Sequence, residues 1–204
     1  MGRPKCYRLV GSIEVQGSIR CLVGLGSEVK MSQVELSYDD LKQEMIEVIE
    51  KRYLKIIATS QGDFVTAREV RFISNGLSMF FFTDHRSRKY EQIKANPNVA
   101  IAVGNLSIDG VASVKGHVKD EGNEKYLEIF REKQPDYFEH WTKVGYFEDP
   151  NMRVIEVTPR RISMYKSRLF DNVPEPYLAI LNIEKKSAYR LKLSDFPEAS
   201  AYRE

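Results

Sequence analysis

The sequence predicts a mainly β protein, an antiparallel barrel with peripheral helices. Three observations support this prediction: runs rich in β-branched and aromatic residues follow one another at short intervals, turn signals separate them, and amphipathic helical patterns are few. The expected strands are residues 54–60, 64–74, 77–83, 99–104, 111–118, 153–158 and 161–166. A helix between the third and fourth strands would split the barrel.

The turn signals predict how these strands connect. Residues 61–63 predict a turn, and the Asn75-Gly76 pair predicts a tight hairpin. A loop containing Asp109-Gly110 is expected between the fourth and fifth strands. Pro159 is expected in a gap between the last two strands, where it would remove no ladder hydrogen bond.

Three helical regions are expected. The first begins at Ser37, where Ser37 and Asp40 form a capping pattern. The second covers residues 87–95 and is stopped by Pro97. The third covers residues 123–145 and is either one broken helix or two. The apolar stripe of the first helix comprises Leu41, Met45, Val48 and Ile49.

These elements place one predicted domain at residues 36–167, with an extension on each side. Residues 1–35 are rich in Gly and Ser and lack strong periodicity, so a loose arm is expected, with disorder as one alternative. Residues 168–204 are charged and punctuated by proline. They predict an extended arm with one strand at residues 188–193.

Composition excludes several classes of protein. The chain has 204 residues and a formal net charge of +2, which gives no strong attraction to nucleic acid or anionic membrane. No apolar run is long enough to span a bilayer. With both cysteines in the first 35 residues, a disulfide framework is excluded and free thiols in a reducing compartment are expected. We therefore expect a soluble, cytoplasmic protein. No zinc-ligand spacing is present among the three histidines, His85, His117 and His140.

Residues 80–97, FFFTDHRSRKYEQIKANP, are the most informative stretch. An aromatic strand leads into a cluster of positive charge, and then into an amphipathic helix that Ser87 is placed to cap. Free backbone N–H groups, the positive end of the helix dipole and several cations then converge on one point. Together with the aromatic strand, this predicts a site for a nucleotide-like ligand. The basic residues are His85, Arg86, Arg88 and Lys89.

The alternative is that these cations are simply solvated. Cations at a helix N-terminus oppose the helix dipole, at a cost of roughly 0.3–1 kcal/mol each. A repeated conflict of this kind is typical of functional sites. A bound anion would relieve it.

Residues 40–166 resemble the FMN-binding split-barrel family, the pyridoxamine 5'-phosphate oxidase-like proteins. The family's fold is an antiparallel split β-barrel with Greek-key-like connections. The resemblance rests on short segments in the order and spacing of that family: TAREV at 66–70, FFT at 81–83, SRK at 87–89, NPNV at 96–99 and GHV at 116–118.

The resemblance implies a homodimer with FMN at the subunit interface. By position, Arg68, Ser87, Arg88 and Lys89 would bind the phosphate, and Val70, Phe82 and Thr83 would lie along the isoalloxazine ring. Each has a structural alternative. Arg68 would otherwise be a surface arginine, and Phe82 a core aromatic. Trp141 is expected in the core or an interface, and His85 in a loop.

The tail departs from the oxidases that make pyridoxal phosphate. Residues 168–204 contain no tryptophan and no Arg-x-Arg pair. The expectation is therefore a flavin-binding relative, an FMN-dependent oxidoreductase that transfers electrons between a small molecule and FMN. The alternatives are a non-catalytic flavin-binding or sensing protein, or a split barrel that uses haem or a deazaflavin. The sequence assigns no catalytic residue and no metal site.

Overall fold

The structure is a computed structural model that describes residues 12–15, 18–23 and 27–192. The strands in these ranges are β1 (Ser12–Val15), β2 (Ser18–Val23), β3 (Ser27–Glu35), β4 (Leu54–Gln61), β5 (Phe64–Arg71), β6 (Ile73–Asn75), β7 (Ser78–Asp84), β8 (Asn98–Val103), β9 (Leu106–Gly116), β10 (Met152–Lys166), β11 (Tyr177–Asn182) and β12 (Ser187–Lys192). The helices are α1 (Tyr38–Glu50), α2 (Arg88–Ala95), α3 (Glu124–Lys133), α4 (Pro135–Lys143) and α5 (Arg168–Asp171), with a 3-10 turn at Tyr146–Glu148.

The long strand β10 organises the sheet. One of its edges pairs with β9, and the other pairs with β7 over residues 152–157 and with β11 over residues 161–166. From β9 the sheet continues through β8 and β4 to β5, and from β11 through β12 and β3 to β2 and β1. Across the part of the chain that is described, every pairing is antiparallel and the sheet does not close, because β5 pairs only with β4. The prediction of an antiparallel split-barrel fold with peripheral helices is confirmed.

Two of the three turns predicted from the sequence are present in the structure. Residues 62–63 connect β4 to β5, and the turn at Gly76 connects β6 to β7, with Gly76 at φ +63°. The loop predicted at Asp109-Gly110 is wrong, because both residues lie inside β9 and the turn falls at Gly104-Asn105. Gly110 faces β10 so closely that an added Cβ would lie 2.9 Å from the carbonyl oxygen of Thr158.

Two strand boundaries also differ from prediction. The gap predicted at Pro159 is absent, since β10 runs through it and Pro159 pairs with Gly110. The partner on the opposite edge changes across residues 158–160, and the register with β9 shifts between Pro159 and Arg161. Pro159 is accommodated because the ladder is already interrupted there. The strand predicted at 64–74 is divided at Phe72, whose ring is buried and whose N–H donates to the carbonyl of Tyr53.

The helices cover two hydrophobic cores. The hydroxyl of Ser37 accepts from the N–H of Asp40 at 3.4 Å, so the predicted capping interaction is confirmed. Leu41, Met45 and Ile49 of α1 are buried in the main core, against the inner faces of the central strands. The region predicted as one broken helix or two is two helices, α3 and α4. They cover a second, aromatic core that contains Phe80, Tyr126, Phe130, Phe147 and partly buried Phe82.

Both chain extensions contain strands that the sequence did not predict. Residues 33–35 of β3 pair with β12, which corresponds to the strand expected at 188–193. The hairpin of β11 and β12 joins the main sheet through β10. Thus the described residues 27–35 and 177–192 belong to the sheet rather than to free arms. Cys6, one of the two cysteines expected to be free thiols, lies outside the described residues. No helix in the described ranges is both long and apolar enough to cross a membrane.

Candidate anion and cofactor site

The site lies where α2 follows β7 and packs beside the edge strand β5. Arg68 comes from β5, and Arg88 and Lys89 form the first turn of α2. The three cations are close enough to affect one another: Arg88 lowers the pKa of Arg68, and Arg68 lowers the pKa of Lys89, in each case after the larger effect of burial. The guanidinium carbon of Arg88 lies 4.1 Å from the centre of the Phe64 ring.

These three cations have no carboxylate partner within 4.0 Å among residues 27–192. Two acidic residues near α2 pair with other cations: Asp84 with Arg86 at 2.6 Å and Glu91 with Lys94 at 3.7 Å. The pairing with Arg86 holds the pKa of Asp84 at about 2, although Asp84 still acts to raise the pKa of Lys89. The site therefore carries more positive than negative charge, which fits a phosphate monoester.

Arg68 is held by neutral groups. Its Nη1 donates to the hydroxyl of Thr59 at 2.5 Å, and its Nη2 donates to the hydroxyl of Thr66 and, at 3.2 Å, to Oε1 of Gln92. The two threonine hydroxyls in turn donate to the same Oε1, at 2.7 Å from Thr59 and 2.8 Å from Thr66. The guanidinium is thus oriented without being neutralised.

The start of α2 differs in detail from the predicted cap. Ser87 occupies the N-cap position, but its hydroxyl does not accept a helix N–H and lies 3.1 Å from the hydroxyl of Thr83. The first-turn N–H groups of a helix have no partner within the helix. The N–H of Tyr90 donates to the carbonyl of Ser87 at 3.0 Å, but the side chain of Ser87 caps neither of the two preceding N–H groups, those of Arg88 and Lys89. These two remain available to an anion at the same place as the cations.

Val70 and Phe82 pack against the two cores. Val70 follows Arg68 by two residues on the same face of β5 and is half-buried against the main core. The ring of Phe82 packs in the aromatic core, 5.6 Å from Phe130 and 5.7 Å from Phe147, as the core alternative predicted. The structure therefore brings together Arg68, Arg88 and Lys89, with Thr83 and Ser87 beside them, and leaves the side chains of Val70 and Phe82 partly buried against the cores.

Three residues of this site were not identified as site residues from the sequence: Thr59, Thr66 and Gln92. Thr59 on β4 and Gln92 on α2 are buried, and Thr66 on β5 is partly buried. A signal for Gln92 was present, because it lies one helical turn after Arg88 and beside buried Ile93, on the apolar side of a short helix. A buried glutamine requires partners, and here it has them.

Two other residues considered from the sequence have ordinary surroundings. His85 Nε2 lies 3.1 Å from Oδ1 of Asn151. Trp141 belongs to α4 and packs on Tyr146 with ring centres 4.3 Å apart, against the aromatic core. Neither contacts the cation cluster.

Comparison with known proteins settles the family. The pyridoxamine 5'-phosphate oxidase family model matches residues 41–166, more than half of the chain. The chain belongs to the pyridoxamine 5'-phosphate oxidase-like family. All of the residues of the cation cluster fall inside the matched range.

Relatives of this family member include general stress protein 26 of Bacillus subtilis (strain 168), which is 26% identical over 133 residues, 63% of this chain and 91% of that protein. Among solved structures, Campylobacter jejuni ChuZ aligns with a TM-score of 0.60 at 14% identity, over 94% of this chain and 85% of that one. A Clostridium acetobutylicum protein related to general stress protein 26 aligns with a TM-score of 0.53 at 14% identity, over 74% and 99%. These structural similarities show a shared fold.

The family member also has exposed apolar side chains on the other face of the two strands that carry Arg68 and Thr59. Leu54 and Ile56 of β4 and Val65 of β5 lie on that face and are 47%, 48% and 64% exposed, with Arg71 opposite Leu54 and Glu69 opposite Ile56. We call these three residues the outer apolar face. Because β5 is the last strand, this face adjoins an edge whose backbone groups are unpaired in the described structure.

Proposed function

We propose that this protein binds FMN and acts as an oxidoreductase that transfers electrons between a small molecule and the flavin. The observation that carries the proposal is the cluster of Arg68, Arg88 and Lys89, which lacks carboxylate partners and sits at an uncapped helix start. Such a cluster is costly in the free protein and favourable around a phosphate dianion. Membership of the pyridoxamine 5'-phosphate oxidase-like family supports the same reading.

In this proposal the chain's own residues bind and orient the cofactor. Arg68, Arg88 and Lys89 bind the phosphate, with Ser87 at the helix start. Backbone groups of Val70, Phe82 and Thr83 line the isoalloxazine ring. The flavin supplies two-electron chemistry when it is bound. The nearby Asp84 is held ionised by Arg86, so it cannot serve as a proton donor near neutral pH.

We also propose that the protein is a homodimer whose second copy covers the outer apolar face. Exposed Leu54, Ile56 and Val65 would otherwise remain in water, and the adjoining unpaired edge of β5 lies next to the proposed cofactor site. A partner there would bury apolar surface, at about 25 cal/mol per Å².

The test is the visible absorbance spectrum of the purified protein, followed by chromatography of any ligand released by heat. We expect a flavin spectrum and release of FMN. A Soret band would indicate haem, and release of a deazaflavin would identify that cofactor instead. A colourless protein that takes up no added FMN would contradict the proposal.

A second experiment separates an enzyme from a flavin sensor. The FMN-loaded protein is mixed with NADH or NADPH without oxygen, and its absorbance near the flavin band is followed before and after oxygen is admitted. Bleaching and recovery over repeated cycles are expected for an oxidoreductase. A flavin that stays oxidised with NADH, with NADPH and with other small-molecule electron donors would favour a binding or sensing role.

The haem alternative is not supported by any grouping of the histidines around one site. His117 Nε2 lies 3.0 Å from the carbonyl of Asp149, and its Nδ1 accepts from the N–H of Lys119 at 3.1 Å. One nitrogen of His85 is engaged by Asn151, and His140 lies exposed on α4 beside the ring of Trp141. The cation cluster, which none of them joins, is therefore the better guide to the ligand.

A further inference from the structure

We infer that Gln92 is a positioning residue: its neutral amide holds Arg68 in the orientation that binds a phosphate, and its lack of charge keeps Arg68 available to that phosphate. This inference rests on the proposed function and adds to it a residue that makes no contact of its own with the ligand. It concerns the geometry of one buried hydrogen-bond network.

The network converges on a single atom. Oε1 of Gln92 accepts from the hydroxyls of Thr59 and Thr66 and from Nη2 of Arg68. Because each hydroxyl has only one proton, donating it to Gln92 leaves the hydroxyl oxygens to accept from Arg68. The glutamine thereby sets the direction of both threonine hydroxyls as well as of the guanidinium.

Gln92 itself is held on its other side. It is only 2% exposed, and its Nε2 faces the carbonyl of Phe64 at 3.4 Å, which orients the amide so that Oε1 points toward Arg68. Gln92 lies on α2, and Phe64, Thr66 and Arg68 lie on β5. The network therefore ties the helix that supplies Arg88 and Lys89 to the strand that supplies Arg68, and it sets the spacing between the cations.

The chemical identity of the acceptor matters as much as its place. A carboxylate at position 92 could accept the same three hydrogen bonds, but it would pair with Arg68 and repel a phosphate. A neutral amide orients a cation without compensating it. If Gln92 had only a structural role, replacing its amide by a carboxylate would not weaken the binding of a phosphate in particular.

The experiment compares Gln92→Glu with a matched change elsewhere. Gln134 is also buried, and its Oε1 accepts from Arg71 at 3.2 Å while its Nε2 donates to the carbonyl of Phe72. Gln134→Glu therefore introduces the same charge beside another arginine, away from the cluster. Apo forms of wild type and both variants are titrated with FMN and with riboflavin, which lacks the phosphate, and flavin fluorescence is recorded.

We expect Gln92→Glu to weaken FMN binding about tenfold or more and to leave riboflavin binding unchanged. Gln134→Glu should bind FMN as wild type does. Equal losses for FMN and riboflavin, equal losses in the two variants, or unchanged FMN affinity in Gln92→Glu would each overturn the inference. A wild type that binds no FMN would instead refute the proposed function.

A second measurement needs no variant and no flavin. The guanidinium ¹⁵N and proton signals of Arg68 are recorded in the ligand-free wild type, with the exposed Arg88 as internal reference. Slow rotation and slow proton exchange at Arg68 are expected because Thr59, Thr66 and Gln92 hold it. A guanidinium that rotates as freely as that of Arg88 would contradict the positioning role, even if Gln92→Glu failed to fold.

Discussion

At the scale of single residues, two cations are held by neutral hydrogen-bond partners: partly buried Arg68 and fully buried Lys55. Arg68 is held by two hydroxyls and an amide, and Lys55 is held by the carbonyl of Arg52 at 2.5 Å and the hydroxyl of Ser74 at 3.1 Å. The two differ in surroundings. Arg68 has other cations beside it, whereas Lys55 lies against the ring of Phe72 in the core.

The cation cluster should lower the free energy of unfolding of the apo protein and raise its affinity for FMN. Replacing Arg88 and Lys89 together by Ala is expected to lower FMN affinity by roughly 100-fold or more, since each charge-assisted hydrogen bond is lost. The same change should raise the free energy of unfolding of the apo protein by about 0.5 kcal/mol, because like charges no longer repel. Calorimetric titration and urea unfolding measure the two effects.

Lys94→Ala, on the same helix but paired with Glu91 at 3.7 Å, is the control and should leave FMN affinity unchanged. Unaltered flavin occupancy in the folded double variant would show that the phosphate binds elsewhere.

Lys55 predicts a pH dependence of stability. Burial lowers its pKa to about 8, against about 10.4 in an unfolded chain. Between these values the unfolded state binds more protons, so the stability of wild type should rise with pH relative to Lys55→Met. The difference in free energy of unfolding should change by roughly 1–2 kcal/mol between about pH 8 and pH 10. Urea unfolding at the two pH values measures it, with the exposed Lys51→Met as the matched control. A pH-independent difference would mean that Lys55 keeps its ordinary pKa.

At the scale of elements, the sequence predicted most of the β framework and the place of the cluster. Asn75-Gly76 identified a hairpin because its dihedral requirement is local. Asp109-Gly110 was wrongly predicted to be a loop. The glycine is needed there because the carbonyl oxygen of Thr158 on β10, far along the chain, leaves no space for a Cβ. Likewise Gln92 was missed because its partners Thr59 and Thr66 lie on other elements. Local chemistry predicted local structure, and contacts distant in sequence decided the rest.

Gly110 provides a prediction for β9. Gly110→Ala would place a Cβ 2.9 Å from the carbonyl oxygen of Thr158 and 3.1 Å from Cγ1 of Val157, so the two strands would have to shift apart. A loss of about 1–3 kcal/mol in the free energy of unfolding is expected. Urea unfolding measures it, and Ser107→Ala, at an exposed position of the same strand, should change stability by less than about 0.5 kcal/mol. Full stability in Gly110→Ala would mean that β9 and β10 are further apart than described.

At the scale of the whole molecule, the outer apolar face predicts self-association. Ile56→Glu should convert a dimer to a monomer, because a carboxylate would be buried without a partner in the interface. Sedimentation velocity measures the mass. Leu169→Glu, at an apolar position that is 89% exposed outside that face, should leave the dimer intact. A wild type that sediments as a monomer, or an Ile56→Glu variant that remains dimeric, would contradict the proposed interface.

The central place of β10 has a consequence for how the chain folds during synthesis. Strand β7, SMFFFTD, pairs along most of its length with residues 152–157, which leave the ribosome some seventy residues later by sequence position. Until then, among the described residues, the short hairpin strand β6 is its only strand partner. Contacts so distant in sequence form slowly, and an aromatic strand without a neighbour is prone to aggregate. The nascent chain is therefore most vulnerable between the emergence of β7 and that of β10.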